Sequence, residues 1–410
     1  MYKKLLLLAF LSLPMFVSAF EIGALQETPP SANMDDSIVD LKVKKVVSQK
    51  NHEKLTALAL LCLAKENEGR DDLKNKPLKC IEKFPDLANL VELNHTLEAF
   101  LNTDSKKQGF PAVIDEYKRL LYDVRWPDDP VRFLSTNKRS VPTFVALIEK
   151  GCKDRLEEKG GVLSINFDGY LCTSHYGKLQ FLHAMKYKDP SLDSEKDFDA
   201  RTYSLMKEWA EFTFEIASNV ELQQENYCTY WNQDTHPYPN LASVMYESSL
   251  SARLCKDDRF NYHRLYWPWY KNYRAWQVST TFTFKCSNAF GSDTCDVIRD
   301  KDTEASFAAL GSIIHMIQDS YSTAHTTRVS QCDHEALVVT NPVESFQDYS
   351  QQASDIHALS DKWPKFIGDG LTLDPITASA QVIWLKNNQS SADVSITDIL
   401  EQVINGITEN

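Results

Sequence analysis

Two histidines and an aspartate lie close together in one stretch of the chain, and their spacing suits a metal site. His315 and Asp319 are four residues apart, so they share one face of a helix, and His325 follows six residues later. A second pair with the same spacing, His357 and Asp361, comes downstream. Imidazole and carboxylate groups are zinc ligands, so this pattern indicates metal-dependent hydrolytic chemistry. The alternative is a structural histidine in a helix core beside a helix-end aspartate.

Other candidate ligands are less specific when each is taken alone. His175 and His183 lie eight residues apart, and spacing does not choose between them. Asp128 and Asp129 stand in a turn before a proline, where an acid ordinarily caps the turn. His52 begins an apolar stretch with helical periodicity, a position that a histidine without function also takes.

The N-terminus has the features of a secretory signal peptide. Two lysines precede an apolar run that is too short to cross a membrane, and residues 17–19 form a small-residue cleavage site. We therefore expect residues 1–19 to be removed, Phe20 to begin the mature chain, and the protein to be secreted, either extracellular or periplasmic. No later stretch is long and apolar enough to predict a transmembrane segment.

The charge of the chain bears on its partners. The formal net charge of the 410 residues is −13, and the predicted signal peptide holds two lysines and no acid, which leaves −15 for the mature chain. An acidic surface repels phosphate backbones unless a basic patch or bound cations reverse the local field. No basic stripe stands out in the sequence, so nucleic acid is not the favoured partner.

Nine cysteines are present, and in an exported protein they are candidates for disulfides with one left over. Spacing does not fix their connectivity. Pairing of sequence neighbours predicts four bridges, namely Cys62–Cys80, Cys152–Cys172, Cys228–Cys255 and Cys286–Cys295. Because no Cys-x-x-Cys occurs, any zinc must be held by histidine and carboxylate ligands.

Helical periodicity dominates from about residue 37. We expect one mainly α domain over residues 20–410, with long irregular insertions near 129–174 and 225–300, the second of which is rich in aromatic residues. The predicted helices are 52–66, 86–102, 111–123, 141–158, 175–188, 199–222, 303–320, 344–366, 375–387 and 395–407.

The candidate ligands, taken in order, resemble those of the secreted zinc-dependent phospholipases C and the related S1/P1-type nucleases. That family carries His-x3-Asp-x5-His on one helix, which His315, Asp319 and His325 match. A later His-x3-Glu/Asp in the family resembles His357 and Asp361. The resemblance rests on these ordered landmarks, not on continuous similarity.

Weaker landmarks of the same family lie further upstream. Its Ser-His-aromatic segment resembles residues 174–176, which favours His175 over His183. Its Trp-x-Asp segment resembles residues 126–128, which favours Asp128 over Asp129. A histidine that opens an early helix matches His52, and the aromatic first residue of the mature family chains resembles Phe20.

The resemblance implies a phospholipase C/P1 nuclease-like helical bundle that holds three zinc ions, with Asp319 bridging two of them. The implied ligand sets are Asp128, His175, His315 and Asp319 for the first ion, His325, His357 and Asp361 for the second, and His52, the other Asp319 oxygen and the Phe20 amino group for the third. Asp128 would also act as a catalytic base on the attacking water.

The resemblance also implies an activity. A phospholipase C would cleave the phosphodiester of glycerophospholipids such as phosphatidylcholine, at a membrane or micelle surface, to diacylglycerol and a phosphorylated head group. A secreted single-strand nuclease of the S1/P1 type is the alternative on the same scaffold. A non-catalytic, metal-stabilised surface protein is a third interpretation.

Overall fold

The structure is a computed structural model of the 410-residue chain. It describes residues 51–67, 70–83, 112–130, 152, 167–248, 277–289, 292–297, 301–328, 337–339, 342–349, 365–367 and 373–405. Phe20, His357, Asp361, the predicted signal peptide and the predicted helix 86–102 lie outside these residues, and of the predicted helix 141–158 only residue 152 is described.

The described chain is mainly α-helical, which confirms the predicted class. Its α-helices are α1 (Asn51–Glu66), α2 (Cys80–Lys83), α3 (Val113–Tyr117), α4 (Leu120–Asp123), α5 (Phe167–Tyr176), α6 (Glu195–Ile216), α7 (Val220–Gln224), α8 (Tyr227–Trp231), α9 (Pro239–Ser248), α10 (Thr280–Thr283), α11 (Lys301–Asp319), α12 (Pro375–Asn388) and α13 (Ile396–Ile404). A 3-10 helix (Gln180–His183) follows α5. Among these helices, none has the length and apolar character needed to cross a bilayer.

Short strand pairs lie between the helices. Their bounds are β1 (Phe284–Ala289), β2 (Ser292–Val297), β3 (Thr326–Arg328), β4 (Leu337–Val339), β5 (Val343–Phe346) and β6 (Lys365–Ile367). The pairs β1–β2 and β3–β5 are antiparallel, and β4–β6 is parallel. The β3–β5 pair matters for the site, because it fixes the chain directly after the end of α11.

Helix α11 is the centre of the described core. It packs against α1, α4, α6, α10, α12 and the 3-10 helix. Its neighbour α12 is apolar around most of its circumference and is buried along almost its whole length, as expected of a helix enclosed by others. Asp374 caps α12 by accepting the backbone N–H groups of Ile376 and Thr377, and Pro375 occupies the first helical position.

Helix α6 covers another side of α11. Ser194 caps its N-terminus by accepting the N–H of Asp197. The predicted apolar stripe of this helix is buried, and it consists of Leu205, Trp209, Phe212 and Ile216. The indole N–H of Trp209 on α6 donates to Oγ of Ser312 on α11 at 3.1 Å, which fixes the orientation of the two helices relative to each other.

Gly311 allows α11 to approach the end of α4 very closely. A Cβ at this position would lie 2.5 Å from the carbonyl oxygen of Asp123 and 2.8 Å from the backbone nitrogen of Val124. Such contacts are too short for any side chain, so only glycine permits this approach. Since Gly311 is one turn before His315, the close contact brings the backbone of residues 123–124 beside that histidine.

Two of the predicted disulfides are confirmed, Cys62–Cys80 and Cys152–Cys172. The first ties α1 to α2, and the second anchors the last turns of α5. Cys286 and Cys295 occupy directly opposed positions of the β1–β2 ladder. Cys255, the predicted partner of Cys228, lies outside the described residues.

Some predicted helix bounds are wrong. The segment 175–188 is not one helix, because α5 ends at Tyr176, before Gly177. The 3-10 helix ends at His183 and is followed by Ala184, which has a left-handed backbone with φ of 49°. Residues 344–346 belong to strand β5, which pairs with β3 and buries its end residues Val343 and Phe346 while Glu344 is exposed. The predicted helix 111–123 is divided into α3 and α4.

Candidate metal centre

Imidazole and carboxylate side chains from separate elements converge around the C-terminal half of α11. All of them are buried except His175, which is partly exposed. They are His52 at the start of α1, Asp128 in the turn after α4, His175 near the end of α5, His183 at the end of the 3-10 helix, His315 and Asp319 on α11, and His325 just after it.

Asp319 lies in the middle of this cluster, and its two oxygens face different histidines. Oδ2 is 3.0 Å from Nε2 of His315, 3.0 Å from Nδ1 of His183 and 3.5 Å from Nδ1 of His325. Oδ1 is 3.2 Å from Nε2 of His52. A carboxylate that divides its oxygens in this way can bridge two cations, one on each side.

Three groups of residues in this cluster could each hold a metal ion, because the ligand atoms within each group lie within 4.8 Å of one another. The groups are His52, Asp128 and His315, then Asp128, His175 and His183, and finally His183, His315 and Asp319. They share members, so the cluster is a continuous donor set. Nitrogen and oxygen donors without thiolate suit zinc and related divalent ions.

Backbone carbonyls fix the tautomers of two histidines. Nδ1 of His315 lies 2.9 Å from the carbonyl oxygen of Val124, which the glycine contact on α11 brings into place. Nδ1 of His325 lies 2.5 Å from the carbonyl oxygen of His183. Because a carbonyl only accepts hydrogen bonds, each Nδ1 donates, and each Nε2 keeps its lone pair for a metal.

His183 is the residue whose surroundings fit a metal best. Its Nδ1 lies 3.0 Å from Oδ2 of Asp319 and 3.2 Å from Nε2 of His315. Three potential metal-ligand atoms are therefore close together. Its Nε2 is buried and has no hydrogen-bond partner among the described residues. Nδ1 is the nitrogen that faces Oδ2 of Asp319 and Nε2 of His315, so a cation among these donors would bind Nδ1 and leave the ring proton on Nε2. The residues present therefore fit a metal ion.

The turn that carries Asp128 is held by packing and by a buried ion pair. Trp126 lies against Phe282 and Trp209 in the core, with ring centroids 4.9 and 5.9 Å apart respectively. Nε of Arg125 is 3.4 Å from Oε1 of Glu53, the residue after His52. This ion pair joins the turn to the start of α1, and it therefore helps to fix the position of Asp128 relative to His52.

His175 lies at the rim of the cluster. Its ring is 4.7 Å from that of His183, and its Nδ1 is 3.0 Å from Oγ of Ser174. Tyr176 packs edge-on against Tyr349, and both belong to a small apolar cluster around the Cys152–Cys172 disulfide. The disulfide therefore supports His175, which is the partly exposed member of the candidate ligands among the described residues.

The charges in the cluster shift the pKa values of its members. Burial by itself lowers the pKa of His52, but the negative charge of Asp319, a hydrogen bond to it and the charge of Asp128 outweigh burial and raise this pKa from 6.5 to about 9. Burial opposes ionisation of Asp319, but the surrounding histidines hold its pKa well below 3.8. In the metal-free chain these two groups form a buried ion pair.

The two histidines beside Asp319 behave differently from His52. Burial and the charge of His52 lower the pKa of His315 to about 3. Burial also lowers the pKa of His183, against the hydrogen bond and charge of Asp319. Both imidazoles are therefore neutral at pH 7, which is the form that binds metal.

We predict that metal stabilises the protein more at pH 9 than at pH 6. The pKa of His52 is raised in the folded chain, so its protonated form stabilises the metal-free fold below pH 6.5, and that contribution is lost as the pH rises through about 9. Metal must displace the same proton, so it binds more tightly as the pH rises. Calorimetric Tm values with Zn²⁺ and with a chelator measure the difference at each pH. A metal-induced rise in Tm that is independent of pH would contradict this linkage.

The structure brings together most of the residues that the sequence singled out. His52, Asp128, His175, His315, Asp319 and His325 all belong to the cluster, whereas Asp129 is buried but is in none of the three ligand groups. His183, which the resemblance placed second to His175, lies closer to the centre. Phe20, His357 and Asp361 lie outside the described residues.

Comparison with known protein families, curated proteins and solved structures finds no match to this chain. The chemistry of the cluster is therefore the basis of any functional assignment.

Proposed function

We propose that this protein is a zinc-dependent phosphodiesterase of the phospholipase C type. The observation that carries the proposal is the position of Asp319, whose two oxygens face separate histidines within one buried donor set. Adjacent cations held by a shared carboxylate are the arrangement that phosphodiester hydrolysis uses. The confirmed disulfides fit an exported enzyme, because such bonds persist in oxidising compartments.

The ligand sets that we propose differ from those of the resemblance at one residue. His183, Asp128, His315 and Asp319 would hold one ion, and His175 would support this set from the rim. His52 and Asp319 would hold a second ion, together with the amino group of Phe20. The third set remains His325, His357 and Asp361.

Divalent ions held by these residues would supply positive charge that ionises a water molecule near neutral pH and stabilises the phosphate oxygens. The water oxygen bonds to phosphorus, the P–O bond to the departing alkoxide breaks, and the alkoxide takes up a proton from solvent. The side chains of the protein transfer protons, exclude water and orient the ligand atoms. The Asp128 carboxylate accepts the proton of the attacking water. The buried histidines exclude bulk water from the centre, and the carbonyls behind them hold Nε2 in place. His175 faces solvent at the rim, where the phosphate group enters. A serine or cysteine nucleophile is not required.

The substrate class follows from the charge. The chain carries a net charge of −13, which repels a long polyanion more than a lipid with a single phosphate. A zwitterionic head group such as that of phosphatidylcholine has no net charge, so its approach is not opposed. We therefore propose glycerophospholipids as substrates, with diacylglycerol and a phosphorylated head group as products.

Substrate assays of the purified zinc-loaded protein test this proposal. The protein is incubated with phosphatidylcholine micelles and, separately, with single-stranded DNA, each with and without a chelator. We expect diacylglycerol release that the chelator abolishes and added zinc restores. Nucleotide release without diacylglycerol would assign the site to a nuclease, and inertness towards both substrates by a zinc-containing protein would assign it a structural role. Either result would overturn the phospholipase proposal.

A further inference from the structure

Gln318 precedes Asp319 on α11, but its side chain is turned towards two other helices. It is buried, with 1 % of its surface exposed. Its Oε1 is 2.8 Å from Nδ1 of His52 at the start of α1. Its Nε2 donates to Oγ1 of Thr56 on α1 at 3.1 Å and to Oγ of Ser379 on α12 at 3.2 Å. One amide therefore connects three helices behind the metal cluster.

The hydrogen bonds of Ser379 fix which way this amide points. Its hydroxyl donates to the carbonyl oxygen of Pro375 at 2.6 Å, one turn earlier on α12. The hydroxyl has a single proton, so it offers only lone pairs to Gln318. The amide group nearest Ser379 must therefore be the NH2 donor, and the carbonyl oxygen must face His52.

The orientation of the amide determines the state of His52. A carbonyl oxygen accepts only, so Nδ1 of His52 donates to it. The opposite nitrogen, Nε2, faces Oδ1 of Asp319 at 3.2 Å and is left as the atom that can bind metal. Partners that hold the remote ring nitrogen of a ligand histidine set its tautomer and orientation, and they raise its basicity.

We propose that Gln318 is a positioning residue of the metal centre, which sets the tautomer and ring orientation of His52 for metal binding. The proposal rests on the proposed function only in requiring that the cluster binds metal. It assigns Gln318 no contact with substrate. His315 and His325 donate the equivalent hydrogen bond to backbone carbonyls, whereas His52 donates to a side chain that mutation can remove.

The test measures metal binding rather than hydrolysis. Zn²⁺ affinity is determined by competition with a chromogenic chelator for the natural chain, Gln318→Met and Gln318→Glu. Gln381→Met is the matched control, because Gln381 is also buried and hydrogen-bonded but donates to the carbonyl of Pro77, away from the cluster. The absorption spectrum of the Co²⁺-loaded forms reports the ligand geometry, and Tm values show that each variant is folded.

We expect Gln318→Met to weaken Zn²⁺ binding roughly 10- to 100-fold and to change the Co²⁺ spectrum. Gln318→Glu should bind Zn²⁺ more tightly than Gln318→Met but less tightly than the natural chain, because a carboxylate also accepts from Nδ1 of His52 but loses the NH2 group that donates to Thr56 and Ser379. If Gln318→Met binds metal as tightly as Gln381→Met, or if Gln318→Glu binds no better than Gln318→Met, the proposal is wrong. A natural chain that binds no metal would overturn both this proposal and the proposed function.

Discussion

Replacing Asp319 by asparagine is expected to remove the bound metal and the phosphodiesterase activity together. The carboxylate has one oxygen towards His52 and the other towards His183 and His315, so it serves both sides of the cluster. An amide keeps one oxygen and turns an NH2 group towards the second position, where it repels a cation. Removing a residue that hydrogen-bonds to a metal ligand lowers metal affinity about 10- to 100-fold. Removing a bridging ligand itself should lower metal affinity by more than this.

Metal content and hydrolysis are measured on the Asp319→Asn variant beside an Asp199→Asn control. Asp199 is also buried, but it pairs with Lys186 at 3.1 Å and accepts the N–H of Phe346, so it tests the removal of a buried carboxylate outside the cluster. The control variant should keep its metal and its activity even if its Tm falls. Retention of metal at the natural level by Asp319→Asn would refute the bridging role.

His183→Ala should have the second largest effect, and it should exceed that of His175→Ala. His183 is 3 % exposed and contacts both Asp319 and His315, whereas His175 lies at the solvent-exposed rim. Removing His183 takes a donor from two of the three ligand groups, and removing His175 takes one from a single group. We therefore expect His183→Ala to lose metal affinity more than about 100-fold, since even a supporting partner can cost that much.

The matched control for these variants is His236→Ala. His236 stacks on Trp231 with ring centroids 5.0 Å apart and belongs to an aromatic cluster away from the metal ligands. Zn²⁺ affinities of the three variants give the order directly. If His175→Ala loses more affinity than His183→Ala, the ligand set implied by the family resemblance is correct and ours is not.

The helical class and the central ligands could be predicted from the sequence because both depend on local spacing. His315 and Asp319 share a helix face by the geometry of one turn, and α11 extends over Lys301–Asp319, close to the predicted 303–320. The buried stripe of α6 followed from the same periodicity. Such patterns are complete within a few turns of chain.

The place of His183 could not be predicted, because it depends on where the helix before it ends. In a continuous helix over 175–188, the helical repeat would fix the directions of His175 and His183 relative to each other. Instead α5 ends at Tyr176, and the left-handed Ala184 terminates a 3-10 helix that carries His183 into the core. Gly177 is a local signal for the end of α5, but it does not indicate that the following 3-10 helix carries His183 into the core.

Gly311 and Gln318 make contacts with residues that are distant in sequence, and their local sequence does not identify those partners. A glycine in an apolar helix, one turn before a candidate ligand, is consistent with close backbone approach, but the partner at Asp123 and Val124 is distant in sequence. Gln318 gives no pattern of its own, because its role depends on Ser379 and His52 on two other helices. Contacts between distant segments are decided by packing, which local periodicity does not encode.

The metal content of the natural chain tests the central claim most directly. The protein is purified, dialysed against metal-free buffer and analysed by inductively coupled plasma mass spectrometry. We predict that more than one zinc ion per chain stays bound, and that a strong chelator removes this zinc with a fall in Tm. A folded chain that retains no divalent metal, and whose Tm does not rise when Zn²⁺ is added, would contradict the account.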